Sequence, residues 1–228
     1  MPAFCTVNGL NVLDGSIYIP RVGVWHADLS IDSFQQVSGA ATIQLASQTL
    51  KGTFTRNGTD VSKRLRARVV GGAAGMATQL GPRSYGSIQV RIPLTDALNG
   101  AGETLSATAD STVLGTQLLA WSRMQAPASA VLAMLLQAVL NAPTWRVLLD
   151  GTVWVGYESW PSSSLPDTVP ISAEPEKGRI TIASDAPAVL PGTAFSYVSP
   201  GVGQLTKNIS FVQHLIRPDE TRTLLFYE

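Results

Sequence analysis

The sequence predicts a mainly β protein of the α+β class, with β-barrel-like domains and a small mixed α/β section that holds one main helix and a hairpin. Three observations lead to this prediction. Apolar and polar residues alternate along several segments of the first third, as they do in strands with one buried face. One apolar segment near the middle repeats at helical spacing. Two short β runs then flank the turn dipeptide Asp150-Gly151.

The first third of the chain contains most of the predicted strands. In residues 22–32, apolar and polar positions alternate, which predicts one buried and one solvated face. The apolar positions of that strand are Trp25, Ala27, Leu29 and Ile31. The dipeptides Asp14-Gly15 and Asn57-Gly58 predict tight turns, because both favour left-handed backbone geometry. Further strands are predicted at residues 11–13, 16–19, 41–45 and 50–56.

Residues 63–70 predict a strand with a basic face. Alternation places Arg64, Arg66 and Arg68 on one face, following Lys63, and apolar side chains on the other. A row of guanidiniums could contact phosphates. The sixteen basic and sixteen acidic residues of the chain cancel, however, and give no overall field that attracts a polyanion. A solvated strand face or an ion-pair patch between subunits is therefore favoured, and no specific nucleic-acid binding is expected.

The reading changes near residue 85, which predicts an N-terminal β-barrel-like domain at 1–84, a mixed section at 85–160 and a C-terminal β section at 161–228. The last section could pack with the N-terminal domain. The mixed section holds a short helix at 93–98, a main helix at 127–140 and a hairpin at 145–156. Residues 159–175 predict an exposed connection. Final strands are predicted at 178–182, 208–216 and 221–227, with a turn at 217–220.

The composition excludes several classes of protein. Charged residues make up 14% of the chain and apolar residues 45%, so the surface is sparsely charged and tolerates burial in an assembly. Cys5 is the only cysteine, which excludes an internal disulfide and a multi-cysteine zinc site. The first residues lack the pattern of a secretory signal. The most apolar segment, residues 126–140, is shorter than the roughly 20 residues that a membrane span requires, so no span is predicted.

No catalytic, cofactor-binding or metal-binding residue is predicted. His26 and His214 lie in strand patterns without a second ligand at metal-binding spacing. Asp150 with Glu158 could be proposed as a glycosidase pair only by assuming their separation in space, and Asp150 is better explained as a turn residue. Residues 71–75, Gly-Gly-Ala-Ala-Gly, lack the spacing of a dinucleotide loop and predict a loop with positive φ angles. The protein is therefore predicted not to be an enzyme and to need no cofactor.

Four tryptophans in the middle section permit two interpretations. They could form an aromatic platform for a sugar, or pack in the core around the hairpin, where Trp145 and Trp154 would pair across the strands. Core packing is favoured. The alternative function is therefore a β-rich carbohydrate-binding or receptor-binding module. The tryptophans are Trp121, Trp145, Trp154 and Trp160.

Several segments, taken in order, resemble the tail-tip or baseplate hub proteins of Mu-like and related bacteriophages. The similar segments are residues 13–29, 50–54, 68–75, 101–105, 121–123, 145–156, 190–193 and 212–214. These residues are mostly turn glycines and core aromatics, so the resemblance concerns the fold more than any site.

The resemblance implies a structural role in the tail of a virion that is assembled in the host cytoplasm. It implies a homotrimeric ring that joins the tail tube to the distal spike or fibre and leaves a central channel. The expected partners are copies of the chain, the tail tube or distal tail protein, the tape measure protein, and the spike or fibre. Arg64, Arg66 and Arg68 could line the channel, which is a hypothesis from those residues alone.

Overall fold

The computed structural model describes residues 4–59, 64–163, 170–182, 189–199, 203–217 and 221–227. Strands predominate and helices are few, which confirms the predicted mainly β fold with a barrel. The chain divides into two compact units. The first comprises Met1–Arg21, Trp25–Val70 and Ser159–Glu228, and the second comprises Val22–Val24 and Gly71–Glu158. The three-part division at residues 84 and 160 stays a prediction.

Six strands of the first unit form a closed barrel. They are β1 (Cys5–Val7), β2 (Leu10–Pro20), β3 (His26–Ile31), β4 (Gly39–Leu45), β5 (Gln48–Thr59) and β6 (Leu65–Gly71). Their order is β1-β4-β5-β6-β3-β2, and the start of β2 pairs with β1 again, which closes the sheet. Alternate side chains are buried, as the sequence predicted: Trp25, Ala27, Leu29 and Ile31 are at most 2% exposed. This burial stabilises the barrel through the hydrophobic effect.

Both predicted turns in the first third are wrong, because their glycines lie inside strands. Asp14-Gly15 lies within β2, next to a bulge between Val12 and Asp14. A Cβ at Gly15 would lie 2.5 Å from the carbonyl oxygen of Asp28, so glycine permits close approach of β3. Asn57-Gly58 lies within β5, which continues to Thr59. Glycine in a strand often marks a bulge or a close backbone contact.

The second unit contains six short strands and three helices. They are β7 (Gln79–Leu80), β8 (Arg83–Gln89), α1 (Arg91–Ala101), α2 (Ser111–Gly115), β9 (Gln117–Arg123), β10 (Ala126–Pro127), α3 (Ala128–Gln137), β11 (Thr144–Val147) and β12 (Val153–Gly156). A 3₁₀ turn covers Gly75–Ala77. Three antiparallel pairs form, β8 with β9, β7 with β10, and β11 with β12. The sequence analysis missed β8, β9 and α2.

The two predicted helices are present with shifted ends. The main helix α3 begins one residue after Pro127 and ends at Gln137. It buries Val131, Leu132, Leu135 and Leu136 at helical spacing. Helix α1 extends past the predicted stop and ends before Gly102, whose φ of 73° provides a left-handed cap. No helix in the described part of the chain is long and apolar enough to cross a membrane.

The predicted hairpin of residues 145–156 is present as β11 and β12, with a longer connection than two residues. Leu148 and Thr152 close the connection, since the Leu148 N–H donates to the Thr152 carbonyl at 2.8 Å. Gly151 has a φ of 86°, the geometry that predicted this turn.

The remaining strands of the first unit extend the sheet from β2. They are β13 (Ser162–Ser163), β14 (Pro170–Glu174), β15 (Arg179–Ile182), β16 (Ala194–Ser199), β17 (Gly203–Ile216) and β18 (Thr221–Tyr227). Their order is β2-β17-β18-β15-β14, and β16 pairs with β17 and β13. A 3₁₀ turn covers Pro175–Lys177. The predicted strands are present, but β13 and β14 occupy the predicted exposed connection. Residues 164–169 of that connection and 218–220 of the predicted turn lie outside the described residues.

Candidate functional site

The most organised charged surface of the first unit lies on β2, β3 and β6. We define the charged strand face as Asp14, Tyr18, His26, Asp28, Arg66 and Arg68. Arg68 lies directly opposite Asp28 in the register and donates from Nε and Nη2 to its two carboxylate oxygens, each at 2.7 Å. Arg66 Nη1 lies 2.9 Å from Asp14 Oδ1. The predicted basic row is thus paired with carboxylates of its own sheet, and its role in a channel stays a prediction.

The ion pairs of this face fix the charges of its groups. The hydrogen bond from Arg68 holds the pKa of Asp28 below its usual value, so this carboxylate is ionised at neutral pH. Burial lowers the pKa of His26, and the positive charge of Arg68 lowers it further. His26 stacks on Tyr18 with ring centroids 4.7 Å apart. His26 is therefore a neutral aromatic contact at pH 7 rather than a cation.

Two open grooves adjoin the charged strand face, and Asp28 and Arg66 line both. The larger groove has a volume of about 430 Å³, and the smaller one about 370 Å³. The larger is lined by Asp28, Leu29, Arg56, Asn57, Gly58, Arg66, Ala67 and Arg68. The smaller is lined by Asp14, Gly15, Ser16, Tyr18, Asp28, Arg66, Leu215, Ile216 and Arg217. These volumes fall in the range of small binding sites.

The glycine-rich loop of residues 71–75 binds a carboxylate of its own chain. Glu103, only 4% exposed, accepts the Gly75 N–H at 2.7 Å and the Ala73 N–H at 3.0 Å. Successive backbone N–H groups of this kind form an anion-binding concavity. A Cβ at Gly72, whose φ is 69°, would lie 2.4 Å from Glu103 Oε2, so the cradle requires glycine. The loop therefore organises the second unit around Glu103, and its acceptor is a side chain rather than a phosphate.

Asp96 on α1 holds the β8–β9 pair through three side chains. It is ion-paired with Arg83, it accepts from the Tyr85 hydroxyl at 2.6 Å, and its Oδ2 lies 3.1 Å from Arg123 Nη1. Burial, together with the bond to Asp96, raises the pKa of Tyr85 to about 12. The sequence analysis missed this cluster, because the four residues span 40 positions and have no motif.

The two other groups with possible reactivity are buried and structural. His214 is 3% exposed, and its Nδ1 lies 3.0 Å from the Thr223 hydroxyl. Burial lowers the pKa of His214 to about 4 and raises the pKa of the Cys5 thiol to about 12. Cys5 is therefore not a thiolate at neutral pH. The described residues contain no group of three or more metal-ligating side chains.

The carboxylates once considered as a pair have separate structural contacts. Asp150 Oδ1 accepts from the Thr152 N–H at 2.9 Å and from its hydroxyl at 2.7 Å, which stabilises the hairpin turn. Glu158 is ion-paired with Arg146 and accepts from the Thr144 hydroxyl at 3.2 Å.

The predicted pairing of Trp145 with Trp154 is wrong. The register places Trp145 opposite Val155 and Trp154 opposite Arg146, so the two rings lie on opposite faces of the hairpin. Trp145 is 6% exposed, and the Arg146 guanidinium lies 4.3 Å from the Trp154 ring centroid. Trp121 packs against Tyr85 at 5.8 Å. The aromatic contacts of the described residues thus give a sugar platform no support.

The comparisons with known proteins concern the fold. No family model and no curated protein sequence matches this chain. Among solved structures, it is similar to the 43 kDa tail protein of prophage MuSo2 from Shewanella oneidensis, with a TM-score of 0.72 at 9% identity. That match covers 98% of this chain and 95% of that chain. The chain has the fold of a phage tail protein. The resemblance predicted from the sequence is confirmed at this level.

Two further solved structures are similar to this phage-tail fold. A tail protein from Neisseria meningitidis MC58 has a TM-score of 0.65 at 14% identity, covering 98% of this chain and 94% of that chain. A component of the type VI secretion system of E. coli has a TM-score of 0.66 at 12% identity, covering 98% of this chain and 77% of that chain. That component is described as structurally similar to the T4 bacteriophage tail proteins gp27 and gp5.

Proposed function

We propose that this chain is a non-enzymatic structural subunit of a bacteriophage tail, located at the tail tip or baseplate hub. One observation carries the proposal: the fold matches that of tail proteins over 98% of the chain, and the match to the MuSo2 protein covers 95% of its partner as well. Because the identity is low, the shared property is the architecture, and the function follows by analogy.

The proposed mechanism is mechanical. Three copies form a closed ring that joins the tail tube to the distal spike or fibre, with a central channel for the tape measure protein and then DNA. The closed barrel of β1–β6 supports this role, because a barrel without free strand edges resists deformation and unwanted pairing. The sparsely charged composition supports it as well, since a surface with 14% charged residues loses little hydration when neighbours cover it.

The mass of the purified protein in solution tests this proposal. One chain has a mass of 24.1 kDa, so multi-angle light scattering should find a species of 72.3 kDa, three times 24.1 kDa, as concentration rises. Electron micrographs of that species should show rings. A 24.1 kDa species at every concentration, with no rings in the micrographs, would contradict self-assembly.

A further inference from the structure

We propose that the charged strand face and its larger groove bind an acidic segment of a partner protein in which carboxylate and apolar side chains alternate. Arg56, Arg66 and Arg68 provide the guanidiniums that recognise its carboxylates. This inference goes beyond the structural role and does not rest on it, since the groove lies within one unit of a single chain.

The lining charges of the larger groove favour an anionic ligand. Three guanidiniums line it with one carboxylate, Asp28, so the lining carries a charge of +3 − 1 = +2. Arg68 is paired with Asp28, and Arg66 is paired with Asp14, which lies in the smaller groove. Arg56 is exposed, and no carboxylate of the described residues pairs with it. A cation held beside an ordered groove provides a position for a carboxylate from another chain.

The ion pairs orient the donors without using all of them. A guanidinium has five N–H groups, and Arg68 directs two of them to Asp28. The other three stay available to an incoming acceptor. The Arg68 and Asp28 side chains are 42% and 46% exposed, so their pair adds only about 0 to 1 kcal/mol to stability. Its clear effect is to fix the plane of the Arg68 guanidinium at the groove, which reduces the entropy lost on binding.

The rest of the lining favours a polypeptide over a nucleic acid. Asp14 and Asp28 interrupt the row of guanidiniums, and a continuous phosphate backbone would pass close to both carboxylates. Apolar side chains line both grooves, among them Leu29 and Ala67 in the larger one and Leu215 in the smaller one. The net charge of zero provides no long-range attraction for a polyanion. A segment that alternates carboxylate and apolar side chains matches both the charges and the apolar lining.

Fluorescence anisotropy with the full-length protein tests the proposal. The probe is a fluorescein-labelled peptide in which glutamate and valine alternate, and a peptide of lysine and valine with the same length is its counterpart. The protein should bind the acidic probe, with an affinity that falls as salt rises. Arg56→Gln and Arg68→Gln should each weaken binding about tenfold, the effect of losing one charge-assisted hydrogen bond.

Lys51→Gln is the matched control, because Lys51 lies exposed on the same strand as Arg56 and outside both grooves. It removes the same charge and should leave the affinity within about twofold. The proposal is overturned if the acidic probe does not bind, or if Lys51→Gln weakens binding as much as Arg56→Gln does. Tighter binding of duplex DNA, lost in the same arginine variants, would replace the protein partner by a nucleic acid.

Discussion

Replacing Glu103 by glutamine should destabilise the second unit by about 2 to 4 kcal/mol. The carboxylate accepts two backbone N–H groups, at 2.7 Å from Gly75 and 3.0 Å from Ala73, and is 4% exposed. Glutamine keeps one carbonyl oxygen, so one buried N–H faces an amide NH₂, at a cost of about 1 to 3 kcal/mol. The bond that remains loses its charge assistance, which costs about 1 kcal/mol more.

Urea unfolding followed by tryptophan fluorescence measures this loss, since Trp121, Trp145 and Trp154 belong to the same unit as Glu103. For a chain of this length, 2 to 4 kcal/mol corresponds to a decrease in Tm of about 4 to 16 °C. Glu176→Gln is the control, because Glu176 is exposed in the 3₁₀ turn of the first unit and removes the same charge. A Glu103→Gln protein within about 0.5 kcal/mol of wild type would show that the cradle does not hold the loop.

Three further predictions concern the first unit. Burial keeps the pKa of His214 at about 4, below its value of 6.5 in an unfolded chain, so the unfolded state takes up a proton first as pH falls. Stability should be complete above pH 6.5 and should decrease by roughly 3 kcal/mol down to pH 4; His214→Gln should flatten this slope in unfolding titrations. Asp28→Asn should change the free energy of unfolding by less than about 1 kcal/mol, because its ion pair is solvated; a loss above about 2 kcal/mol would refute that reading. Gly52→Ala should cost about 1 to 3 kcal/mol, since its Cβ would lie 2.4 Å from the Val70 carbonyl oxygen. Gly58→Ala on the same strand, with open space around its Cβ, is the control, and equal melting temperatures would contradict the argument.

The parts of the fold that the sequence predicted are those with one buried face. In β3 and β6 the alternating apolar residues pack into the barrel, so the pattern and the burial coincide. Strands β8 and β9 were missed because most of their side chains are exposed, as Leu119 at 93% shows, and they carry no alternation. The turn dipeptides misled because Asp-Gly and Asn-Gly favour turns, while strand crowding also selects glycine.

The charged surfaces could be predicted only in part. The alternation of Arg66 and Arg68 was visible, but their partners Asp14 and Asp28 lie 52 and 40 residues away and depend on strand order. The acceptor of the glycine-rich loop, Glu103, follows Gly75 by 28 residues. Such pairings are set by topology, which local sequence does not encode.

The position of β2 in two pairings has a consequence for how the chain folds. Residues 15–20 of β2 pair with residues 211–216 of β17, so Pro20 meets Phe211 across 191 residues of sequence, 211 − 20. Contacts of such range raise the contact order and slow folding. During synthesis, the second edge of β2 stays unpaired until the last strands leave the ribosome, which follows the whole second unit. A nascent chain that stops before β17 therefore exposes that edge and is prone to aggregate.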